Sequence, residues 1–84
     1  MLFHGVARTV DVIRQQELLA AEIAASGELV AEGIVLHTFV RTDRGGFFVV
    51  AHGEDEESVR AQLNRLPFVR TGVVTIELSE VRES

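Results

Sequence analysis

The chain has 84 residues, 46% of them hydrophobic, and a formal net charge of −5. This length predicts one domain, residues 1–84, with a core that leaves it marginally stable unless it self-associates. The acidic balance and the lack of any Lys/Arg cluster argue against a nucleic-acid partner, and no apolar run approaches a membrane span.

Strand 1 is predicted over Leu2–Arg8, where Leu2, His4, Val6 and Arg8 face one way and Phe3, Gly5 and Ala7 the other. Thr9 or Asp11 can cap a helix reaching Ser26. Val12, Leu19 and Ile23 form its apolar stripe, Arg14, Glu17 and Glu22 are left to water, and Gly27 fits its C-terminal cap. Strand 2 is expected from Leu29 to Val40, and Arg41-Thr42-Asp43-Arg44-Gly45-Gly46 turns it into strand 3, Phe47–Ala51. Glu54-Asp55-Glu56-Glu57 opens a second helix, favourably placed for its dipole. Val59, Leu63 and Leu66 form its buried stripe, and Pro67 ends it. Strand 4 covers Val73–Leu78, with Val74, Ile76 and Leu78 on one face and Thr75 and Glu77 on the other.

This order predicts an α+β fold of the ferredoxin-like kind, βαββαβ with an antiparallel four-stranded sheet. Both helices cover one face. The second face should alternate apolar and polar if it meets water, yet Ile34-Val35-Leu36 and Phe47–Ala51 do not alternate. The expectation is therefore that a second copy covers that face, forming a dimeric α+β barrel with a cavity between sheet and helices or at the interface.

The residue types that are missing restrict the chemistry. All basic residues are Arg, and there is no Lys, Cys, Tyr or Trp. Schiff-base, thiol and tyrosine chemistry are excluded, as are disulfides and thiolate zinc sites. His, Asp/Glu, Ser/Thr and Arg remain, a set suited to proton transfer beside a carbonyl or carboxylate. Three histidines on separate strands show no metal-ligand spacing, so no metal is expected. Met1-Leu2-Phe3-His4 enters a strand directly, without a signal-like segment, and a cytoplasmic location is the expectation.

His4 lies mid-strand, and antiparallel pairing of strands 1 and 4 would bring Glu77 or Thr75 beside it. A His4–Glu77 pair would be a general base with an orienting carboxylate, while a core histidine bonded to Thr75 is the structural alternative. His37 and Glu32 are also candidates, set on opposite faces of strand 2 unless a bulge at Gly33 changes the phase. Arg8 and Arg41 end strands 1 and 2, where either can clamp a substrate carboxylate. Rim salt bridges are the plainer role for both. His52 and Gly45-Gly46 read as cap or solvent and as turn.

The opening Met1-Leu2-Phe3-His4, the first helix running into Ser26-Gly27-Glu28-Leu29, the strand Phe47-Phe48-Val49-Val50 and the turn Leu66-Pro67-Phe68 resemble the muconolactone isomerase family. Gly27–Gly33 and Pro67–Val73 also look like the YCII-related family. Both resemblances imply the dimeric α+β barrel. The first implies a cofactor-free isomerase that moves a proton within an unsaturated lactone and assembles as rings of dimers. The second implies a helix-1 histidine, in a region where this chain has Gln15 and Gln16. The partners so implied are a small-molecule substrate and further copies of the chain. The other classes are a non-catalytic ligand-binding or assembly module, and a monooxygenase or haem-contacting barrel, which the absence of Trp and Tyr disfavours.

Overall fold

The computed structural model describes Met1–Ser84. The chain runs β1 (Leu2–Thr9), α1 (Val12–Ala31), β2 (Val35–Val40), β3 (Gly46–His52), α2 (Glu56–Leu63), α3 (Pro67–Arg70) and β4 (Val74–Val81). The sheet order is β2-β3-β1-β4 and every pairing is antiparallel. This is the ferredoxin-like α+β arrangement expected from the alternation of elements. No helix is long and apolar enough to cross a membrane.

The alternation in β1 works as the pleat requires. Phe3, Gly5 and Ala7 are buried toward the helices, while Leu2, His4 and Val6 are half-buried on the opposite, uncovered face. Phe47, Val49, Ala51 and Val74 join the helix-covered side, where Leu29, Val59, Leu63, Leu66 and Phe68 complete a single core. The uncovered face carries Leu2, His4, Val6 and Arg8 opposite Val50, Phe48 and Gly46 on one side and Ser79, Glu77 and Thr75 on the other.

Helix α1 departs from its expected course in two respects. It does not stop at Gly27 but continues to Ala31, so Leu29 is a buried helix residue and β2 begins only at Val35. The C-cap is Glu32, and Gly33 follows it in the left-handed region at φ 77°. There Ile34 N–H donates to the Leu29 carbonyl and Gly33 N–H to the Val30 carbonyl, both at 3.0 Å, which is the Schellman closure that a left-handed residue permits. Asp11 caps the other end, accepting from Arg14 N–H at 3.0 Å.

The phase of the helix also differs. Val12, Leu19 and Ile23 stay exposed, at 53%, 49% and 64%. The inward stripe is instead Leu18, Glu22, Ala25 and Leu29, with Glu22 only 8% exposed. The two stripes lie roughly 100° apart around the helix. Leu29 decides between them, because its inclusion in the helix extends the Leu18–Ala25 series by a further turn.

Two further expectations are corrected. Pro67 does not end α2, which closes at Leu63; it occupies the first turn of α3, where its missing N–H costs nothing. Ile34-Val35-Leu36 fails to alternate for a local reason. Ile34 precedes the strand, and the register shifts between Val35 and His37, leaving Leu36 in a bulge. The bulge is thus at Leu36 and not at Gly33, and this segment carries no sign of two-sided burial.

Gly46, at φ 141°, lets β3 cross tightly beside β1, since a Cβ there would fall 1.8 Å from the Ala7 carbonyl oxygen. Gly46→Ala is expected to lower stability by about 2 kcal/mol or more, read as a fall of roughly 8 °C or more in melting temperature. Gly27 is mid-helix with no atom within 4 Å of a would-be Cβ. Gly27→Ala is expected to raise stability by about 0.5–1 kcal/mol. Thermal unfolding of the two variants checks both signs, and a destabilised Gly27→Ala would contradict the continuous α1.

Candidate active site

Helix α1 stands away from the β2 side of the sheet and leaves a cavity of about 240 Å³. Its floor comes from Val35 and Thr38 of β2 and Phe47 and Val49 of β3, its roof from Leu19, Glu22 and Ile23 of α1, and its end wall from Leu66 and Phe68. The exposed Leu19, Ile23 and Val40 form its rim. Apolar side chains that look misplaced on an isolated helix thus frame an opening. The lining is mostly hydrophobic with a few polar groups, the usual make-up of a small-molecule site.

Glu22 is the ionisable group of this cavity. Its Oε1 accepts the Phe68 N–H at 2.9 Å. This bond replaces an N-cap for α3, whose own cap residue Leu66 has no side chain to offer. Oε2 has no protein partner and is not sealed in, since no buried side-chain oxygen lacks a hydrogen bond. Glu22 itself is one of the residues that line the cavity. Burial pushes the Glu22 carboxyl above its ordinary value, opposed by the Phe68 hydrogen bond and by the Arg70 charge. A carboxyl with one oxygen anchored, one oxygen free and its proton held more tightly than usual has the equipment for proton transfer.

The cavity opens at the β2–β3 hairpin into a polar cleft lined by Gln15, Gln16, Leu19, Val40, Arg41, Arg44 and Gly46. Arg41 is paired with Asp43, whose carboxyl is held below its usual range by that hydrogen bond and by the Gly45 N–H.

The residues selected from sequence lie elsewhere. His4 is on the uncovered sheet face, stacked on Phe48 at 6.1 Å between ring centroids and 13° between planes. Glu77 shares that face, but it stands opposite Val6, while Ser79 stands opposite His4. The two are diagonal neighbours without a hydrogen bond, and Thr75 is further off, opposite Arg8. His37 is on the same face, stacked on Phe39 at 6.4 Å. Glu32 is not on a strand at all. It is the C-cap of α1, gripped by Arg65 through bonds that include Nη1–Oε1 at 2.9 Å, and this partner lowers its pKa. Glu32 and His37 are therefore not brought together. Arg8 ends β1 on the uncovered face, and no cluster of His, Asp or Glu could hold a metal ion. Of the candidates, only Arg41 touches the cleft.

Glu22 escapes the sequence pattern because the Val12–Leu19–Ile23 stripe places it on the wet side of α1, whereas the buried side is that of Leu18, Ala25 and Leu29. The signal was present in the spacing Leu18–Glu22–Ala25–Leu29, where a single acid interrupts an otherwise apolar helical series.

No family model matches the chain, and no curated protein matches it. Among solved structures, the fold is similar to the 5-chloro-2-hydroxyhydroquinone dehydrochlorinase of Burkholderia phenoliruptrix, in its complex with 2,5-dihydroxybenzoquinone. The TM-score is 0.82 at 18% identity, covering 100% of this chain and 96% of that one. At this identity the likeness is one of fold.

The raised Glu22 pKa has a consequence for stability. The folded state holds this proton more tightly than the unfolded chain, so the contribution of Glu22 is full below its ordinary value of 4.5 and is lost as pH rises through the raised folded value. Glu22→Gln keeps an acceptor for Phe68 N–H and removes the titration. Urea unfolding from about pH 4 to about pH 8 should show wild type losing stability relative to Glu22→Gln as pH rises. A difference that stays constant with pH would count against a buried, strained carboxylate.

Proposed function

We propose that this protein is a cofactor-free proton-transfer enzyme that shifts a double bond in a small unsaturated lactone or related carboxylate compound, with Glu22 as the base. The observation that carries this reading is Glu22, a carboxyl that lines an apolar cavity of about 240 Å³ with one oxygen bonded to Phe68 N–H and the other without a protein partner. The cavity suits one small ring. The resemblance to muconolactone isomerases supports the reaction class, and the fold likeness to a ring-processing dehydrochlorinase is consistent with a small cyclic substrate.

The chemistry balances without a cofactor. The Glu22 carboxylate takes a proton from the γ carbon of the α,β-unsaturated lactone, and the electron pair moves through the double bond into a dienolate. Its oxygen can be met by the Gln15 amide or the Thr38 hydroxyl, both in the lining. The same carboxyl then returns the proton to the α carbon, beside the carbonyl, which leaves the double bond shifted. A raised pKa makes the carboxylate the stronger base, and the apolar walls strengthen each electrostatic contact. Ultraviolet assays of muconolactone and related unsaturated lactones test this directly. Turnover should fall about 10²–10⁴-fold in Glu22→Gln with folding intact. Turnover that is insensitive to Glu22 but lost in His4→Ala would move the base to the uncovered face. Ligand binding without turnover would favour the non-catalytic module.

The proposal includes self-association through the uncovered sheet face. Leu2, Val6, Phe48 and Val50 place an apolar strip along the two central strands, and Phe39 extends it at 61% exposure. A second sheet laid over this strip would form the dimeric α+β barrel. Sedimentation analysis is expected to give at least a dimer for wild type and a smaller species for Phe48→Glu. A wild-type monomer at micromolar concentration would reject it.

A further inference from the structure

The apolar cavity and the polar cleft share Gln15, Leu19, Val40 and Gly46. They are one continuous site with the Glu22 carboxyl at its inner end and two guanidinium groups at its outer end. The two arginines are not equivalent. Arg41 is bonded to Asp43, so that pair carries no net charge. Arg44 makes no ion pair and no side-chain hydrogen bond, and it lines the cleft.

The hairpin sets Arg44 in place. Arg44 N–H donates to the Arg41 carbonyl at 3.2 Å, and Arg44 is the only non-glycine residue with positive φ, at 64°. Asp43 serves the same turn, accepting from Gly45 N–H at 2.8 Å while it neutralises Arg41. The outcome is one uncompensated positive charge at the mouth of a cavity whose only ionisable group is acidic.

We infer that Arg44 is the specificity-determining residue of this site, pairing with the carboxylate of a ring compound whose apolar body lies against Leu19, Ile23 and Phe47. The inference rests on the cavity being the binding site, as proposed above, and assigns to Arg44 the role that sequence alone offered to Arg8 or Arg41. Arg8 ends on the uncovered face, and Arg41 already has its carboxylate. The arrangement also orients the ligand. A carboxylate held at the mouth keeps its own charge away from Glu22 and turns the ring inward.

Benzoate and its neutral isostere benzamide are suitable probes, with binding followed through the methyl resonances of Leu19 and Ile23. Wild type is expected to bind benzoate roughly five-fold more tightly than benzamide, with the preference shrinking as ionic strength rises. Arg44→Asn, a change that suits the left-handed backbone, is expected to abolish that preference and its salt dependence while leaving benzamide affinity unchanged. Arg44→Lys should restore part of it, and Arg41→Asn made together with Asp43→Asn, which removes both charges of the pair at once, should not abolish it. Equal binding of both probes by wild type, or a benzoate preference that survives Arg44→Asn, overturns the role of Arg44 and leaves the cavity reading standing. Methyl resonances undisturbed by either probe would instead overturn the cavity reading itself. The same titrations on Glu22→Gln separate the mouth from the chemistry, because its benzoate preference should persist whatever happens to turnover.

Discussion

The bond from Phe68 N–H to Glu22 is the constraint on which the rest of the site depends. A carboxyl taken out of water needs a strong compensating partner. Here the partner is a backbone donor at the start of a four-residue helix. The bond therefore joins α1 to α3 through a polar contact where apolar side chains would have packed the two closer. One stripe of α1 is thereby spent on a glutamate, and the β2 side of the sheet is left without a full apolar cover. A leucine at this position would be the conservative choice for core packing and would tend to fill the space. The cavity and the acid thus occur together, with Glu22 both a cavity-lining residue and the acceptor of the Phe68 N–H.

That feature also explains which parts of the molecule could be read from sequence. The facing of β1 and β4 follows from a period of two that a one-residue error would invert, and so it is strongly specified. Capping chemistry offers Thr9 or Asp11 for the start of α1, and the structure uses Asp11. The end of α1 was harder, because Gly27 and Gly33 both offer a plausible stop. Only tertiary packing, the burial of Leu29, shows that the helix tolerates the first and uses the second. With the wrong end came the wrong stripe. Val12, Leu19 and Ile23 make a perfectly regular helical series, but local periodicity cannot distinguish a stripe that packs on a sheet from one that frames an opening.

The histidines illustrate the same limit from the other side. His4 and Glu77 share a sheet face, as the pairing of β1 with β4 requires, but sharing a face is weaker than contact. The register sets Ser79 beside His4, and the His4 ring spends its surface on Phe48. The geometry of a general base includes a place for the substrate, and the uncovered face of one protomer is a surface rather than a pocket. A second sheet packed over it would exclude water but would also bring apolar strands onto His4. Chemistry there would need space that the packing of Leu2, Val6 and Phe48 opposes.

Fold likeness alone cannot choose between these faces, because one scaffold supports many activities and the site must be argued from its own groups. The electrostatics of the cleft support the reading that places the site on the helix-covered face. Glu22 sits where burial raises its proton affinity and apolar walls lower the local dielectric, so a small change in its surroundings is felt strongly. The hairpin charges sit in water, where they are screened and can select a ligand without holding it irreversibly. In the proposed reading, a strong, poised group deep in the site and a weak, selective group at its mouth divide the work of reaction and recognition. The division depends on α1 and the β2–β3 hairpin diverging from the same stretch of sheet. The bulge at Leu36, the glycine crossing at Gly46 and the anchored Glu22 all belong to that divergence.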